Sequence, residues 1–338
     1  MSSRIVEQLR ARARAVRATL VFPEGDDVRV VEAAAILAHE GIVQPILIGG
    51  ATGVRGAANA ARVALPASVR VIEPGDEDVR ARLGQALLRL PAFASLSWAE
   101  TQERLSDPIV LGALLVRSGE ADGCVGGAAR PTRDVLQSAL RIIGLADGVR
   151  VVSSVFLMVL ADGRPLTFGD CAVVPEPDAA QLADIAVTSA RTHQQLTQQT
   201  PVVAMLSFST KGSAEHAAVT KVREATMIAR TMAPDLLIDG ELQFDAAWVE
   251  EIGRRKAPDS VVPGRANVFI FPDLDAGNIA YKIAERLAQA EAIGPLLQGL
   301  SQPMHDLSRG CRVDDIVNVA AACALQAKGG RFKRATKL

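Results

Sequence analysis

Residues 18–48 read ATLVFPEGDDVRVVEAAAILAHEGIVQPILI, and this stretch contains the pattern that decides the fold. The apolar runs at 18–22 and 44–48 are short and have Pro, Gly and Asp residues beside them, as β-strands do. Between the two runs, apolar residues recur at helical spacing at Val28, Val31, Ala35 and Ala38. Gly41 is placed to end that helix. The stretch therefore predicts a strand, a helix and a second strand.

The same alternation continues along the rest of the chain. Further short apolar runs that predict strands lie at 69–73, 150–160, 202–207, 235–239 and 267–271. The last helix repeats the helical spacing at Ile316, Val319, Ala320, Cys323 and Ala327. Strands that alternate with helices predict an α/β fold, in which mainly parallel sheets are flanked by helices.

Two breaks in the pattern divide the chain, one near Gly144–Gly148 and one near Gly294–Gly299. We therefore expect two α/β domains: a discontinuous first domain of residues 1–146 plus 297–338, and a second domain of residues 147–296. A chain of 338 residues is long enough for both. Because a cleft between two α/β domains is a usual place for a ligand, we expect the active site there.

Composition argues against several classes of protein. The 37 basic and 38 acidic residues give a formal net charge of −1, which offers no footprint for nucleic acid or an anionic membrane. No segment approaches the ~20 apolar residues that span a bilayer. The four cysteines and four histidines lack metal-ligand spacing, so we expect no metal site, reduced thiols and a cytoplasmic protein.

The stretch DLSRGCRVDDIV at 306–317 carries the strongest signal for chemistry. Ser308 supplies a hydroxyl, Arg309 a permanent cation, and Gly310 frees the backbone just before a predicted helix start. Hydroxyl, guanidinium and free amides together suit a phosphate or a developing oxyanion. Asp315, in the first turn of that helix, is placed to accept a proton. A surface helix with an ordinary cap explains the same residues equally well.

The loop SFSTKGS at 207–213 follows a predicted strand and resembles a phosphate-binding loop in composition. We therefore predict Ser207, Ser209 and Lys211 as substrate-binding residues. The loop lacks the spacing of a P-loop, so a plain strand-to-helix connection is the alternative.

Arg286 lies four residues after Lys282 on a predicted helix. The apolar stripe of this helix is predicted at Ile279, Ile283, Leu287 and Ala290. On spacing alone, a solvated cationic face is the favoured interpretation of the two basic residues.

Six blocks of sequence form a specific set: ADG at 121–123, GDCA at 169–172, VAMLSFS at 203–209, IDGELQFDAA at 238–247, AGNI at 276–279 and DLSRGC at 306–311. In this order the blocks resemble the phosphate acetyltransferases, also called phosphotransacetylases. The resemblance runs from about residue 18 to about residue 328. The segments PMHD at 303–306 and IIGL at 142–145 are most similar to the short form that is encoded with ethanolamine-utilisation enzymes.

The resemblance implies an architecture of the isocitrate/isopropylmalate dehydrogenase type and a homodimer. It also implies an acyltransferase, which reversibly transfers an acetyl group between acetyl phosphate and coenzyme A and releases or takes up phosphate. Coenzyme A is then a co-substrate, and no cofactor stays bound. Family roles carry over to Ser308 and Arg309, which contact the phosphate or the carbonyl oxygen, to Asp315 as the base for the thiol, and to Arg286.

The chain departs from the family pattern at two places that matter for anion binding. Many members have a basic run where this chain reads LRLPAF at 88–93, so only Arg89 is retained. Members also commonly have arginine at the position of Gln137, and we expect Arg130 or Arg133, one or two helical turns away, to supply that cation. We predict all three arginines as substrate-binding residues.

The start of the last helix limits how the proton can move. Arg312 stands where members usually have serine, which removes a favoured cap and adds a cation. An ordinary aspartate pKa of about 3.9 and a thiol pKa of about 8.5 differ by roughly 4.6 units, or about 6 kcal/mol against full proton transfer. Asp315 therefore needs either domain closure, which desolvates its carboxylate, or proton transfer that accompanies thiol attack while Arg309 stabilises the charge.

Several alternatives remain open. Because acetyl phosphate is already activated, a ternary complex suffices, and an acyl intermediate on Cys171 is the alternative mechanism. A phosphate propionyl- or butyryltransferase is the nearest alternative function, since one methylene is worth only about 1–3 kcal/mol in a pocket. An NAD-linked hydroxyacid dehydrogenase would need a dinucleotide signature and a carboxylate-bound metal. The last alternative function is a non-catalytic ligand-binding relative, because Gln137 replaces a family cation.

Overall fold

The structure, a computed structural model, describes residues 4–262 and 264–329. It contains two compact units. Of the described residues, the first unit comprises Val6–Asp147 and 300–329, and the second unit comprises 148–262 and 264–299 together with residues 4–5.

The helices are numbered in chain order: α1 Arg4–Arg14, α2 Val28–His39, α3 Ala51–Ala61, α4 Glu77–Leu88, α5 Trp98–Arg104, α6 Pro108–Arg117, α7 Thr132–Ser138, α8 Ala179–Thr197, α9 Ala217–Met232, α10 Phe244–Trp248, α11 Glu250–Lys256, α12 Leu274–Leu287 and α13 Val313–Gly329. The strands are β1 Thr19–Phe22, β2 Gln44–Ile48, β3 Arg70–Ile72, β4 Gly123–Gly126, β5 Ser153–Val159, β6 Pro165–Gly169, β7 Val202–Leu206, β8 Leu237–Leu242, β9 Val268–Ile270, β10 Glu291–Gln298 and β11 Met304–Asp306. A short 3₁₀ turn lies at Pro91–Phe93, and a π-helical turn at Ala139–Ile143 follows α7.

The first unit is built on a five-stranded sheet in the order β11-β4-β1-β2-β3, and its neighbouring strands run parallel. The predicted strand–helix–strand unit is confirmed by β1, α2 and β2, with Thr19 opposite Gln44. Parallel neighbours need a crossover connection, which α2 supplies. Asp27 begins this helix by accepting a hydrogen bond from the Arg29 amide at 2.8 Å.

The buried face of α2 differs from the predicted stripe. Val31 and Ala35 are buried as predicted, but Val28 is 39% exposed. Further buried positions are Val30, Ala33, Ala34 and Leu37. The apolar face is wide because α2 packs against both β2 and α13, so more than one side of the helix is covered.

The second unit is built on a six-stranded sheet in the order β10-β5-β6-β9-β7-β8. The pairs among β6, β9, β7 and β8 are parallel, whereas β5 pairs antiparallel with both β6 and β10. Only a few residues connect β5 to β6, too few for a crossover helix, so the two strands form a hairpin. The predicted α/β fold with parallel-rich sheets is confirmed, and its antiparallel edge is an addition.

All seven predicted strands are present, as β1, β2, β3, β5, β7, β8 and β9. The sequence did not predict β4, β6, β10 and β11. Two of the four residues of β4 are glycines, β11 contains the polar residues His305 and Asp306, and β10 contains Gly294–Pro295, which reads as a break. Proline is tolerated there because β10 lies at the edge of its sheet. In the described residues, no helix has both the length and the apolar character to cross a membrane.

Candidate active site

Three loops meet at one edge of the first unit's sheet. The strands β11, β4 and β1 are neighbours and parallel, so the loops that follow them leave from the same edge. These loops are 307–312, 127–131 and 23–27. The carboxyl ends of parallel strands are where α/β proteins place their ligand sites.

The predicted residues Ser308 and Arg309 form a tight turn after β11. The Ser308 hydroxyl accepts a hydrogen bond from the Gly310 amide at 3.3 Å, and the Ser308 carbonyl accepts one from the Cys311 amide at 2.9 Å. Both predicted side chains are exposed. Within the described part of the chain, the Arg309 guanidinium makes no hydrogen bond or ion pair, so it is available to an anion.

Asp315 lies directly after this turn, at the start of α13. The Arg312 carbonyl accepts the first helical hydrogen bond, from the Ile316 amide at 3.2 Å, which makes Arg312 the N-cap residue. The Asp315 carboxylate accepts the Arg312 amide at 2.7 Å and lies 3.7 Å from its guanidinium. Its side chain is 33% exposed. The structure thus brings the three predicted catalytic residues into one turn and the helix start that follows it.

Arg29, which the sequence did not single out, connects all three loops. Its guanidinium donates to both carboxylate oxygens of Asp27, at 3.1 and 2.7 Å. It also donates to the carbonyl of Ala128 at 2.8 Å, and to those of Arg309 and Cys311 at 2.8 and 3.0 Å. The backbone of the turn that carries Arg309 is therefore held by the guanidinium of Arg29.

Glu24, also missed from the sequence, holds the loop after β4. Its buried carboxylate accepts the amides of three successive residues, Ala128, Ala129 and Arg130, at 2.8, 2.7 and 2.9 Å. A run of free amides is a good anion site, and here the chain fills it with its own carboxylate. The sequence contained a signal for Glu24, because this carboxylate follows β1 at the sheet edge where ligand sites are usually placed.

Asp306 ends β11 and is almost fully buried beside the same loop. Thr132 donates its hydroxyl to this carboxylate at 2.6 Å. Burial, reinforced by the nearby charge of Glu24, raises the pKa of Asp306 to about 7. Gly127 allows this close approach, because a Cβ there would lie 2.2 Å from the Asp306 carboxylate and φ is +97°.

The predicted arginines of the first unit differ in their availability. Arg130 donates to Asp107 at 2.9 Å and lies 3.3 Å from Asp134, so the structure engages it within the unit. Arg133 is 83% exposed, with only a 3.9 Å approach to Asp134. It lies one helical turn before Gln137 and on the same face of α7. Arg89 is exposed at the end of α4.

The predicted residues of the 207–213 loop are tied into the second unit. The buried Ser209 hydroxyl donates to Glu241 at 2.9 Å. The Lys211 ammonium donates to Asp239 at 2.5 Å and to the Gly240 carbonyl at 2.9 Å. These two side chains therefore stabilise the loop, whereas Ser207 is partly exposed.

The remaining predicted residue, Arg286, is 79% exposed on α12 and lies 3.6 Å from Glu285. The apolar stripe predicted for this helix does not face the core. Ile279, Ile283 and Leu287 are exposed, and Ala290 lies beyond the end of the helix. Small residues pack instead against the core of the second unit: Ala276, Ala280 and Ala284, together with Tyr281.

Cys171 is unsuited to nucleophilic attack. Its thiol is fully buried, and burial together with the charge of Asp170 raises its pKa well above the ordinary value. A thiol in that state supplies little thiolate. Within residues 4–262 and 264–329, no cluster of His, Cys, Asp and Glu side chains is arranged to hold a metal ion.

Comparison with known proteins identifies the class of this protein. The family described as phosphate acetyl/butaryl transferase matches residues 4–324, and the chain belongs to this family. A phosphate acetyltransferase from Thermoanaerobacterium thermosaccharolyticum is 44% identical over 329 residues, which cover 96% of this chain and 99% of that protein. The predicted resemblance to the short phosphate acetyltransferases is confirmed.

Solved structures support the same assignment. A phosphotransacetylase from Streptococcus pyogenes is 43% identical with a TM-score of 0.92, over 97% of this chain and 100% of that one. The EutD phosphotransacetylase from Staphylococcus aureus is 41% identical with a TM-score of 0.89, over 96% and 98%. A 4-hydroxythreonine-4-phosphate dehydrogenase from Burkholderia phymatum, 14% identical with a TM-score of 0.51 over 93% and 97%, shares the fold alone. The dehydrogenase-type architecture is thus confirmed.

Proposed function

We propose that this chain catalyses the reversible transfer of an acetyl group between acetyl phosphate and coenzyme A, through a ternary complex. The observation that carries the proposal is the turn of Ser308 and Arg309 beside the start of α13. It carries an exposed guanidinium and a hydroxyl next to a carboxylate at the helix start, in a chain 44% identical to a phosphate acetyltransferase over almost its whole length.

Arg309 and Ser308 are the proposed anion-binding pair. The exposed guanidinium of Arg309 suits either the phosphate group or the oxygen that becomes negative when the thiol attacks the carbonyl. The Ser308 hydroxyl already accepts the Gly310 amide, which leaves its own hydrogen to donate to a substrate oxygen. The amino end of α13 adds a favourable field for negative charge at the same place.

Asp315 is the proposed base for the coenzyme A thiol. One carboxylate oxygen is occupied by the Arg312 amide, so the other is available to the incoming S–H. The gap of roughly 4.6 units between an ordinary aspartate pKa and a thiol pKa disfavours a free thiolate. Proton transfer therefore accompanies attack, while Arg309 stabilises the charge that develops on the carbonyl oxygen.

Further substrate contacts are proposed at the predicted residues that remain accessible. In the first unit Arg133 and Arg89 are exposed, and Arg133 stands one turn from the position of the absent family arginine. In the second unit Arg286 and Ser207 are accessible. Arg130, Ser209 and Lys211 were predicted for the same role, but their side chains have internal partners, so we assign them to the support of their loops.

The proposal includes coenzyme A as co-substrate, no permanently bound cofactor, and a cytoplasmic location. The four free cysteines are all buried and agree with a reducing compartment. It also includes a homodimer. The exposed apolar residues of α12, Ile279, Ile283 and Leu287, give a second copy of the chain a surface to cover.

One assay tests the reaction directly. Purified protein is given acetyl phosphate and coenzyme A, and acetyl-CoA formation is followed. We expect turnover by the wild type and a loss of roughly 100-fold or more in kcat for Arg309→Ala, the scale of a lost oxyanion donor. Faster turnover of propionyl phosphate would shift the assignment to a longer acyl chain, and no acyl-CoA from any acyl phosphate would favour a ligand-binding relative.

A second experiment tests the ternary complex. If no acyl-enzyme forms, labelled phosphate does not enter acetyl phosphate unless coenzyme A is present. Exchange without coenzyme A would contradict the proposal and revive a covalent intermediate. The buried thiol of Cys171 makes that outcome unexpected.

A further inference from the structure

The mechanism above gives Arg29 no role. Its side chain nevertheless makes more hydrogen bonds to residues distant in the sequence than the side chains of Ser308, Arg309 and Asp315 do. Its five N–H donors reach five acceptors: the two oxygens of Asp27 and the carbonyls of Ala128, Arg309 and Cys311. An arginine has five N–H hydrogens, so its capacity is filled. The paired carboxylate of Asp27 balances its charge. Arg29 therefore has no donor left for a substrate.

The hydrogen bonds of Arg29 restrain the backbone of the turn that carries Ser308 and Arg309. The two carbonyls that it holds belong to Arg309 and Cys311, which flank Gly310. Glycine allows many backbone conformations, so this turn needs an external restraint. With its carbonyl fixed, the backbone of Arg309 projects its side chain in one direction. On the loop after β4, Arg29 holds the Ala128 carbonyl while Glu24 holds the adjacent amides.

We propose that Arg29, oriented by Asp27, is a positioning residue that fixes the backbone of the Ser308–Arg309 turn in its catalytic conformation. This inference rests on the proposed acetyltransferase function. A displacement of about 1 Å in a reacting group can cost about 100-fold in rate. The arginine fork is required because a lysine has one nitrogen, which cannot reach acceptors spread over three loops.

The kinetic test uses Arg29→Lys, which keeps the charge and removes the fork. We expect kcat to fall roughly 10- to 100-fold, with a smaller change in either Michaelis constant. Asp27→Asn is the second variant. Its amide oxygen still caps α2, but its hold on the guanidinium is weaker, so a smaller loss in the same direction is expected. Arg14→Lys is the matched control, since Arg14 also bridges a carbonyl and a carboxylate, both of Glu40.

A double-mutant comparison separates positioning from a general loss of structure. If Arg29 acts through Arg309, Arg29→Lys has little further effect on kcat once Arg309 is alanine. The same fold-loss in both backgrounds would overturn the inference, because the contribution of Arg29 would then be independent of Arg309. Unchanged kcat in Arg29→Lys alone would overturn it as well.

Hydrogen exchange tests whether Arg29 restrains the turn, without relying on activity. The amides of Gly310, Cys311 and Arg312 are all hydrogen-bonded within the turn or to Asp315. We expect their exchange to accelerate several-fold in Arg29→Lys and to remain as in the wild type in Arg14→Lys. Equal exchange in both variants would overturn the inference that Arg29 restrains the turn. A wild-type protein that forms no acyl-CoA would instead overturn the proposed function, so the two failures are distinguishable.

Discussion

Asp315 combines a structural and a proposed catalytic role in one carboxylate, and Asp315→Asn separates them. The asparagine oxygen can still accept the Arg312 amide, so the helix start is retained. The amide cannot accept the thiol proton. We expect kcat to fall about 100-fold or more, with either Michaelis constant changed by less than about threefold. Steady-state kinetics with a parallel melting curve provide the measurement, and undiminished turnover would remove Asp315 from the role of base.

Asp306 gives a second prediction at the scale of a single residue. Its folded-state pKa is about 7, against 3.8 for the unperturbed group. Between these values the folded protein keeps a proton that the unfolded chain has lost, so the free energy of unfolding falls as the pH rises from about 4 to 7. Asp306→Asn mimics the neutral carboxyl and removes this fall.

Urea denaturation of the wild type and Asp306→Asn at pH 5 and pH 8 provides the check. We expect the wild type to lose up to about 3 kcal/mol relative to the variant over this interval. Parallel pH profiles for the two proteins would show that Asp306 does not titrate in that range.

The candidate site residues whose proximity the sequence could predict are those close together in the chain. Ser308, Arg309 and Asp315 lie within a few residues, so their proximity follows from local sequence alone. Glu24 and Arg29 reach partners 104 and 280 residues away. No spacing rule encodes such contacts, because they depend on which strands become neighbours in the sheet. The carboxyl ends of parallel strands mark these loops once the sheet order is known, but that rule assigns no role to a side chain.

At the scale of elements, the start of α13 is incompletely capped, and Arg312→Ser completes it. The Asp315 carboxylate already accepts the Arg312 amide, which is half of a capping box. A serine hydroxyl at 312 would accept the Asp315 amide and supply the other half. We expect the free energy of unfolding to rise by about 0.5–1 kcal/mol, measured by urea denaturation. A lower stability would mean that the Arg312 guanidinium contributes more than a cap.

The exposed face of α7 tests whether a shifted cation replaces the absent family arginine. Arg133 and Gln137 share that face, and the side chain of Arg133 is 83% exposed. We expect Arg133→Ala to raise the Michaelis constant for acetyl phosphate at least several-fold with little change in stability. Gln137→Arg in the Arg133→Ala background should restore part of the affinity. A Michaelis constant for acetyl phosphate that does not change in Arg133→Ala would contradict the compensation.

Whether an element could be predicted depended on the chemistry of its residues. The predicted strands are apolar runs with turn residues beside them, and the structure contains each of them. The edge strand β10 escaped because it contains Gly294–Pro295, and β4 because its four residues include two glycines. For α12 the spacing predicted the apolar stripe but did not show which face is buried. The large apolar residues are exposed, and small ones pack against the core.

At the scale of the molecule, the order of the chain determines when the site is assembled. Four strands of the first unit's sheet, β1 to β4, precede the second unit in sequence. The fifth strand, β11, and the helix α13 follow the whole second unit. The first unit is therefore completed by the last part of the chain, which also carries Ser308, Arg309 and Asp315. Pairing β11 with β4 closes a loop of well over a hundred residues, a non-local step that is costly in chain entropy. We therefore expect the turn of Ser308 and Arg309 to form only when the last part of the chain has joined the first unit.

The proposed homodimer is tested by placing a charge on α12. Ile279, Ile283 and Leu287 are 57%, 53% and 81% exposed and lie four residues apart, so they form one apolar stripe. A second copy that covers this stripe would bury Ile283, and a glutamate there would be desolvated without a partner. We expect the wild type to sediment as a dimer and Ile283→Glu as a monomer. Met227→Glu, at a 62% exposed site on α9, is the control and should remain dimeric. A monomeric wild type, or a dimer that survives Ile283→Glu, would contradict an interface at this stripe.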